Sequence, residues 1–74
     1  MIRSKAYLVL FERGETGWGA YAPDVPGCIA VGDTQEKVER LFKEALEMHL
    51  KSLREHGEPI PEPSTEAQLI SVGE

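Results

Sequence analysis

The fold is decided by the stretch Trp18–Thr34, whose sequence is WGAYAPDVPGCIAVGDT. It opens with residues that favour strands and then reaches Pro23 and Pro26, two prolines that cannot donate a backbone hydrogen bond to a sheet. Gly27 follows, and glycine readily adopts the positive φ that closes many tight turns. The stretch therefore predicts two strands joined by a turn.

The same stretch ends at the start of a predicted helix. Asp33 or Thr34 can act as the N-cap by accepting a hydrogen bond from a free backbone N–H of the first turn. If Asp33 is the cap, Glu36 completes a capping-box-like pair. Gly57, with a proline two residues later, is suited to end the helix in a left-handed conformation. The helix should therefore run to about His56.

Apolar and β-branched residues on either side of this stretch predict further strands. The run 6–11 is apolar on both sets of alternate positions, which is typical of a strand buried on both faces. The predicted strands are 6–11, 18–22, 28–31 and 67–72. Together with the helix they predict a single β-β-β-α-β domain of the α+β class over residues 1–74, with one helix packed on a small mixed sheet.

The predicted helix has an apolar stripe that is wider than one small core requires. Its members recur at helical spacing: Val38, Leu41, Phe42, Ala45, Leu46, Met48, His49, Leu50 and Leu53. One helix covers only one face of a sheet, while the strand 6–11 needs cover on both. The sequence therefore predicts that a second copy of the chain covers the other face or the sheet edge, in a homodimer or a higher homo-oligomer.

Composition narrows the classes of partner. The chain has 74 residues and a formal net charge of -5, and its 8 basic residues are spread along the sequence. Direct nucleic-acid binding, which needs a concentrated basic patch, is not expected, and a basic protein partner suits the chain better. The single cysteine, Cys28, allows no internal disulfide, and no apolar run is long enough to span a membrane. We therefore expect a cytoplasmic protein.

Few side chains offer catalytic or metal-binding chemistry. Cys28 has no base among its sequence neighbours and is interpreted as a small apolar core residue. His49 and His56 are separated by roughly 10 Å along a helix, too far to share one metal ion. Asp24 and Asp33 occupy the positions of a turn residue and a cap residue. The sequence therefore predicts no metal, no cofactor and no enzyme.

Trp18 lies between two glycines. An aromatic residue on a sheet can stack on a nucleic acid base. Because no basic residues surround it in the sequence, we interpret Trp18 as a packing or interface anchor. The tentative partner-binding or fold-signature residues are Trp18, Pro23, Asp24, Pro26, Gly27 and Cys28.

Several short motifs, in their order along the chain, resemble the HicB antitoxin family. They are Trp18-x-Ala20, the run Pro23-Asp24-Val25-Pro26-Gly27-Cys28, Gly32-Asp33-Thr34, Glu44-Ala45-Leu46, His49-Leu50, and Gly57 with Pro59, Pro61 and Pro63. The resemblance covers about residues 7–63, most of the chain. It implies a partial RNase H-like fold of β-β-β-α-β order that lacks nuclease activity.

The resemblance also implies a function. HicB-like antitoxins neutralise HicA, a small basic RNA-cleaving toxin, by covering it, and complete members usually add a C-terminal DNA-binding domain. This chain ends at Glu74, so operator binding is not expected. The leading hypothesis is the antitoxin of a type II toxin-antitoxin system with a HicA-like partner. Two alternatives stay open: an orphan homo-oligomerising interaction domain without a toxin, and a weak hydrolase or nuclease using Asp24, Asp33 or His49.

Overall fold

The computed structural model describes residues 5–73, which form three strands followed by one helix. The elements are β1 (Leu10–Arg13), β2 (Trp18–Tyr21), β3 (Ile29–Gly32) and α1 (Gln35–Glu55). The predicted α+β class, with one helix on a small sheet, is confirmed. The limits of the predicted domain, residues 1 and 74, lie outside the described residues.

The sheet has the order β1-β2-β3, and both pairings are antiparallel. Its register places Leu10, Tyr21 and Ile29 in one row across the sheet. The predicted final strand 67–72 forms no ladder. The prediction of a mixed sheet is therefore wrong for residues 5–73, because that strand was the one able to add a parallel pairing.

β1 is shorter than the predicted strand 6–11 and is displaced toward the hairpin. Leu10 pairs with Tyr21, the last residue of β2. Continuing the same register would set Leu8 opposite Pro23, which has no N–H to donate. Residues 5–9 therefore lie beyond the ladder, whereas β2 and β3 begin and end within one residue of their predicted limits.

The two faces of the sheet have different surroundings. Side chains alternate between the faces of a strand, and the row Phe11, Ala20 and Ala30 belongs to the core side. The buried core consists of Ala20, Ala22, Val25, Cys28, Val38 and Phe42. The opposite side, which we call the open sheet face, carries Leu10, Glu12, Tyr21, Ile29 and Val31.

The open sheet face has no cover from the described chain. Ile29 and Val31 on it are 69% and 70% exposed. The residues of the predicted first strand from Tyr7 to Phe11 are half-buried. The prediction that this strand is buried on both faces is therefore wrong, because α1 packs on one side only.

Both ends of α1 are capped by its own sequence. Thr34 is the N-cap, and its hydroxyl oxygen accepts a hydrogen bond of 3.2 Å from the backbone N–H of Lys37. The capping box predicted from Asp33 and Glu36 does not form, because Thr34 is the N-cap. The third helical position is then Lys37, which cannot accept the reciprocal hydrogen bond. At the other end Gly57, with φ of 69°, donates to Arg54 O, and Glu58 N donates to Leu53 O, which is a Schellman motif.

The chain returns along the sheet after α1. We call residues 58–65 the strap. Tyr7 Oη donates a hydrogen bond of 2.6 Å to Pro61 O, and Lys5 Nζ lies 2.7 Å from Glu62 Oε1. The predicted extended, proline-rich spacer is thus fixed against the start of the chain.

No helix of the described residues is long and apolar enough to cross a membrane.

Residues 66–73 extend away from the domain, and we call them the arm. The arm's three large aliphatic side chains, Leu69, Ile70 and Val72, are 101%, 74% and 78% exposed. The radius of gyration is 14.4 Å, whereas a compact chain of this length has about 11 Å. The arm therefore holds strand-forming apolar residues in solvent.

Candidate partner-binding surface

The turn Pro23–Cys28, which we call the signature turn, is built into the core. Val25 is fully buried, and its backbone N–H donates a hydrogen bond of 3.1 Å to Ala22 O. Gly27 has φ of 88°, so its place needs the positive φ that the sequence predicted. Pro23 and Pro26 are exposed on the outside of the turn. The turn therefore offers two proline rings to solvent on a rigid base.

Asp24 joins the signature turn to the strap. One carboxylate oxygen accepts hydrogen bonds from the backbone N–H groups of Ser64 (2.8 Å) and Thr65 (2.9 Å). The other accepts from their hydroxyls, at 3.2 Å and 2.7 Å. The backbone and side-chain donors of Thr65, followed by those of Ser64, lower the pKa of Asp24 from 3.8 to about 2. We call this arrangement the Asp24 latch.

Trp18 lies apart from the signature turn, at the other end of β2. It is half-buried and packs against the core, as predicted for an anchor. Its remaining surface lines an open groove at the hairpin, together with Arg13, Thr16 and Asp33. The structure therefore does not bring the six signature residues into one site: Trp18 is separated from the other five.

The residues considered for catalysis occupy structural positions. Cys28 is buried, and this burial raises the pKa of its thiol, which disfavours the reactive thiolate. His56 Nδ1 lies 2.7 Å from Ser52 O on its own helix. Asp24 and Asp33 lie on opposite sides of β3 along the chain, and the half-buried His49 is in the middle of α1. Within residues 5–73, no group of three or more His, Cys, Asp or Glu residues is placed to hold a metal ion.

Sequence reasoning missed the role of Asp24. It predicted a turn residue, but the carboxylate also binds donors 40 and 41 positions later in the chain. Two features of the sequence indicate that the proline-rich segment packs back on the domain. Tyr7 has a hydroxyl that needs a hydrogen-bond partner beside an apolar run. Ser64 and Thr65, two residues with hydroxyl donors, directly follow the proline spacer. Neither feature identifies its partner without the fold.

A second surface is an apolar groove between residues 7–11 and α1. Its apolar walls are formed by Tyr7, Val9, Phe11, Phe42, Leu46, Leu50 and Ile60. Charged side chains of both signs lie along it: Lys5, Lys43, Arg54, Glu39 and Glu47. Because three positive and two negative groups line it, the groove has no preference for a basic partner.

The strap and arm have a more one-sided charge. After Gly57 the sequence contains four glutamates and no lysine, arginine or histidine. Glu58, Glu62 and Glu66 are all exposed. Glu62 is paired with Lys5, so part of this negative charge is neutralised, and the remaining excess of acidic residues on the strap and arm still favours a basic partner.

Comparison with known proteins finds relatives along most of this chain. The family model described as HicB-like antitoxin of bacterial toxin-antitoxin systems matches residues 7–74. Antitoxin HicB 2 of Photorhabdus laumondii is 35% identical over 70 residues, which are 95% of this chain and 50% of that antitoxin. A UPF0150 protein of Synechocystis is 31% identical over 67 residues, 89% of this chain and 85% of the relative.

A third relative is an uncharacterised 14.9 kDa protein of Haemophilus phage HP1, 32% identical over 68 residues, 92% of this chain and 51% of the phage protein. This chain thus spans about half the length of the Photorhabdus and phage relatives. No solved structure matches it significantly. The family match extends over nearly the whole domain, so this chain belongs to the HicB-like antitoxin family of bacterial toxin-antitoxin systems.

Proposed function

We propose that this chain is the antitoxin of a type II toxin-antitoxin pair and that it binds and neutralises a small, basic, HicA-type RNA-cleaving toxin. Its main support is the family match over residues 7–74. A relative that is 35% identical is named Antitoxin HicB 2. Neutralisation by covering a toxin's RNA-binding surface requires complementary shape and charge, and no chemistry from the antitoxin.

The reactive residues of the chain support a binding role. Asp24 accepts hydrogen bonds from four donors, and Cys28 is held in the core. A carboxylate saturated with donors is a poor general base, because those donors stabilise its ionised form. These side chains maintain the shape of the domain, which agrees with the non-catalytic role that membership of an antitoxin family suggests.

We place the toxin contact on the turn–strap surface, which consists of Pro23, Pro26 and the exposed strap glutamates Glu58 and Glu62. The Asp24 latch brings these two segments together. Proline rings on the turn and acidic side chains further along the strap suit a basic protein, since complementary charge speeds encounter and disfavours wrong partners. Cys28 is buried beneath the turn, exposed Gly27 supplies the positive φ that closes it, and Trp18 is a separate candidate contact at the hairpin groove.

Co-purification tests this proposal directly. The chain should co-purify with the product of an adjacent short, basic open reading frame. Glu58→Lys combined with Glu62→Lys should weaken the complex about tenfold or more, because attraction becomes repulsion and Lys5 loses the carboxylate that neutralises it. The matched control is Glu44→Lys combined with Glu55→Lys, two exposed glutamates of α1 that line neither the strap nor the hairpin groove. This control should leave the affinity within about twofold.

Two results would contradict parts of the proposal. If no complex forms at micromolar concentration, the chain is not the antitoxin of that protein. If the α1 control weakens the complex as much as the strap variant does, the toxin binds through general charge attraction and the turn–strap surface is wrong.

An orphan homo-oligomerising domain is the second candidate function. The uncovered open sheet face and the projecting arm favour it. Absence of a neighbouring basic reading frame, together with a stable homo-oligomer, would support this alternative. In either case we propose a cytoplasmic protein that forms a homodimer or higher homo-oligomer and does not bind nucleic acid directly.

A further inference from the structure

The arm has the composition of a strand without a neighbour. Residues 66–73 belong to no helix or strand, and no backbone hydrogen bond connects them to another described residue. In a strand conformation, at about 3.3 Å per residue, these eight residues would span roughly 26 Å, more than the length of any strand in this sheet. The arm therefore carries a row of unpaired backbone donors and acceptors along with its exposed aliphatic side chains.

The outer edge of β3 also lacks a hydrogen-bonding neighbour among the described residues. β3 pairs with β2 on one side and with no strand of residues 5–73 on the other. Its sequence Ile29-Ala30-Val31-Gly32 contains no proline and no charge, the features that usually protect an exposed edge from pairing. β1, at the other edge, ends in the charged residues Glu12 and Arg13. β3 is therefore the edge better suited to accept another strand.

The side chains of the arm match those of β3 in spacing. Ile29 and Val31 are two positions apart on the open sheet face, and Ile70 and Val72 are two positions apart on the arm. In an added strand, Ile70 and Val72 can lie beside Ile29 and Val31 on the same face. Leu69, one position out of phase, then falls on the helix side.

We propose that the arm of one copy adds as a strand to the outer edge of β3 in a second copy, and that the exchange is reciprocal. Each copy supplies one donor arm and one acceptor edge, so a two-fold symmetric dimer satisfies both. Neither β3 nor residues 67–73 carries a charged side chain. A second copy fits this neutral contact, and its net charge of -5 is located elsewhere.

The Asp24 latch prepares the arm for this exchange. It fixes Ser64 and Thr65 immediately before the arm, and three prolines stiffen the strap that leads to it. A segment held at its base loses less conformational freedom when its remaining residues are bound. The Asp24 latch therefore favours formation of the dimer, although it lies outside the dimer interface.

Sedimentation equilibrium of the chain alone provides the test. The chain should be a dimer at 10–100 µM, roughly the range that suits a modest interface. Ile70→Glu and Ile29→Glu should each raise the dissociation constant about tenfold, since each replaces an aliphatic cross-strand neighbour with a charge and the reciprocal exchange makes every such contact twice. Both positions are solvent-exposed in the single copy, so the fold should persist. Circular dichroism verifies this.

Met48→Glu is the matched control. Met48 on α1 is 71% exposed, similar to Ile29, and lies away from β3 and the arm. Its substitution should leave the dissociation constant unchanged. In the dimer, the backbone amides of residues 69–72 should also be protected from hydrogen exchange, and Ile70→Glu should remove this protection.

Three results would overturn the proposal. They are a monomer at every concentration up to 100 µM, a dimer that Ile70→Glu leaves intact, and a dimer that Leu10→Glu disrupts but Ile29→Glu does not, which would place the contact at β1. All of these measurements use the chain without a toxin. A failed arm exchange therefore leaves the proposed toxin binding untouched, and a failed toxin complex leaves the arm exchange untouched.

Discussion

The signature turn and the arm both carry aliphatic side chains and have well-defined backbone preferences, yet only the turn buries its aliphatic side chain, Val25. Val25 in the turn has no exposed surface, whereas Leu69 in the arm is fully exposed. The turn lies between two strands of its own sheet and beneath α1, so its partners are supplied by its own chain. The arm has the pattern of a strand but no strand beside it in residues 5–73. A local pattern therefore determines conformation, while burial depends on a second surface.

The largest difference between the two regions should appear when each receives a charge. Val25→Asp places a carboxylate in the core, which costs several kcal/mol, a large part of the total stability of a small domain. We expect this variant to be unfolded by circular dichroism. Leu69→Asp should keep the melting temperature unchanged at a concentration where the chain is monomeric. Equal destabilisation by the two changes would contradict this contrast.

A smaller loss should follow from Gly17→Ala in the hairpin. A Cβ at Gly17 would lie 2.5 Å from the backbone oxygen of Gly32, so the strand itself must move. We expect destabilisation of about 1–3 kcal/mol in urea unfolding. Gly14→Ala in the same hairpin is the control, since its Cβ would meet Gly17 O at an ordinary 3.6 Å. A stable Gly17→Ala variant would mean that the two strands separate more easily than the structure indicates.

The helix cap should have a still smaller effect. Thr34→Ala removes the acceptor for Lys37 N–H and should cost about 1 kcal/mol. Asp33→Ala is the comparison that separates the two caps considered from sequence, and it should cost clearly less. Thermal unfolding followed by far-ultraviolet circular dichroism is sufficient, because that signal reports helix content. The opposite order of effects would assign the cap to Asp33.

Loss of the Asp24 latch should release the strap and the arm that follows it, and should leave the packing of the core unchanged. Because the pKa of Asp24 is about 2 in the fold against an ordinary 3.8, its hydrogen bonds stabilise the fold above about pH 4. This contribution should decrease as the pH falls from about 4 toward about 2, where the carboxylate becomes protonated. NMR titration of Asp24 and of the Thr65 amide measures it, and Asp24→Asn should abolish the titration. A midpoint near 3.8 in the folded protein would show that the latch is open in solution.

The sequence was sufficient for features that neighbouring residues determine. The helix 35–55, its glycine C-terminus and the signature turn follow from caps, prolines and glycines close to one another. The predicted length of β1 was wrong because the ladder stops before Leu8 would have to pair with Pro23. That pairing follows from the hairpin register, which the sequence alone does not give. The Asp24 latch was missed because its two ends are about 40 positions apart.

The final strand 67–72 was wrong for a different reason. Its residues favour a strand, but a strand needs a neighbour, and residues 5–73 place none beside it. The partial RNase H-like assignment, which includes that strand, stays a prediction. So does the contact role of Trp18 and the signature turn, since packing alone explains the burial of Trp18, Val25 and Cys28.

The antitoxin proposal is tested most directly by titrating this chain into an RNA-cleavage assay of the toxin encoded beside it. We predict that cleavage falls in proportion to the added chain and stops at a fixed stoichiometric ratio, because a covered toxin cannot reach its RNA. Glu58→Lys combined with Glu62→Lys should require a clear excess for the same effect. Undiminished cleavage in the presence of a several-fold excess of the folded chain would contradict the proposal.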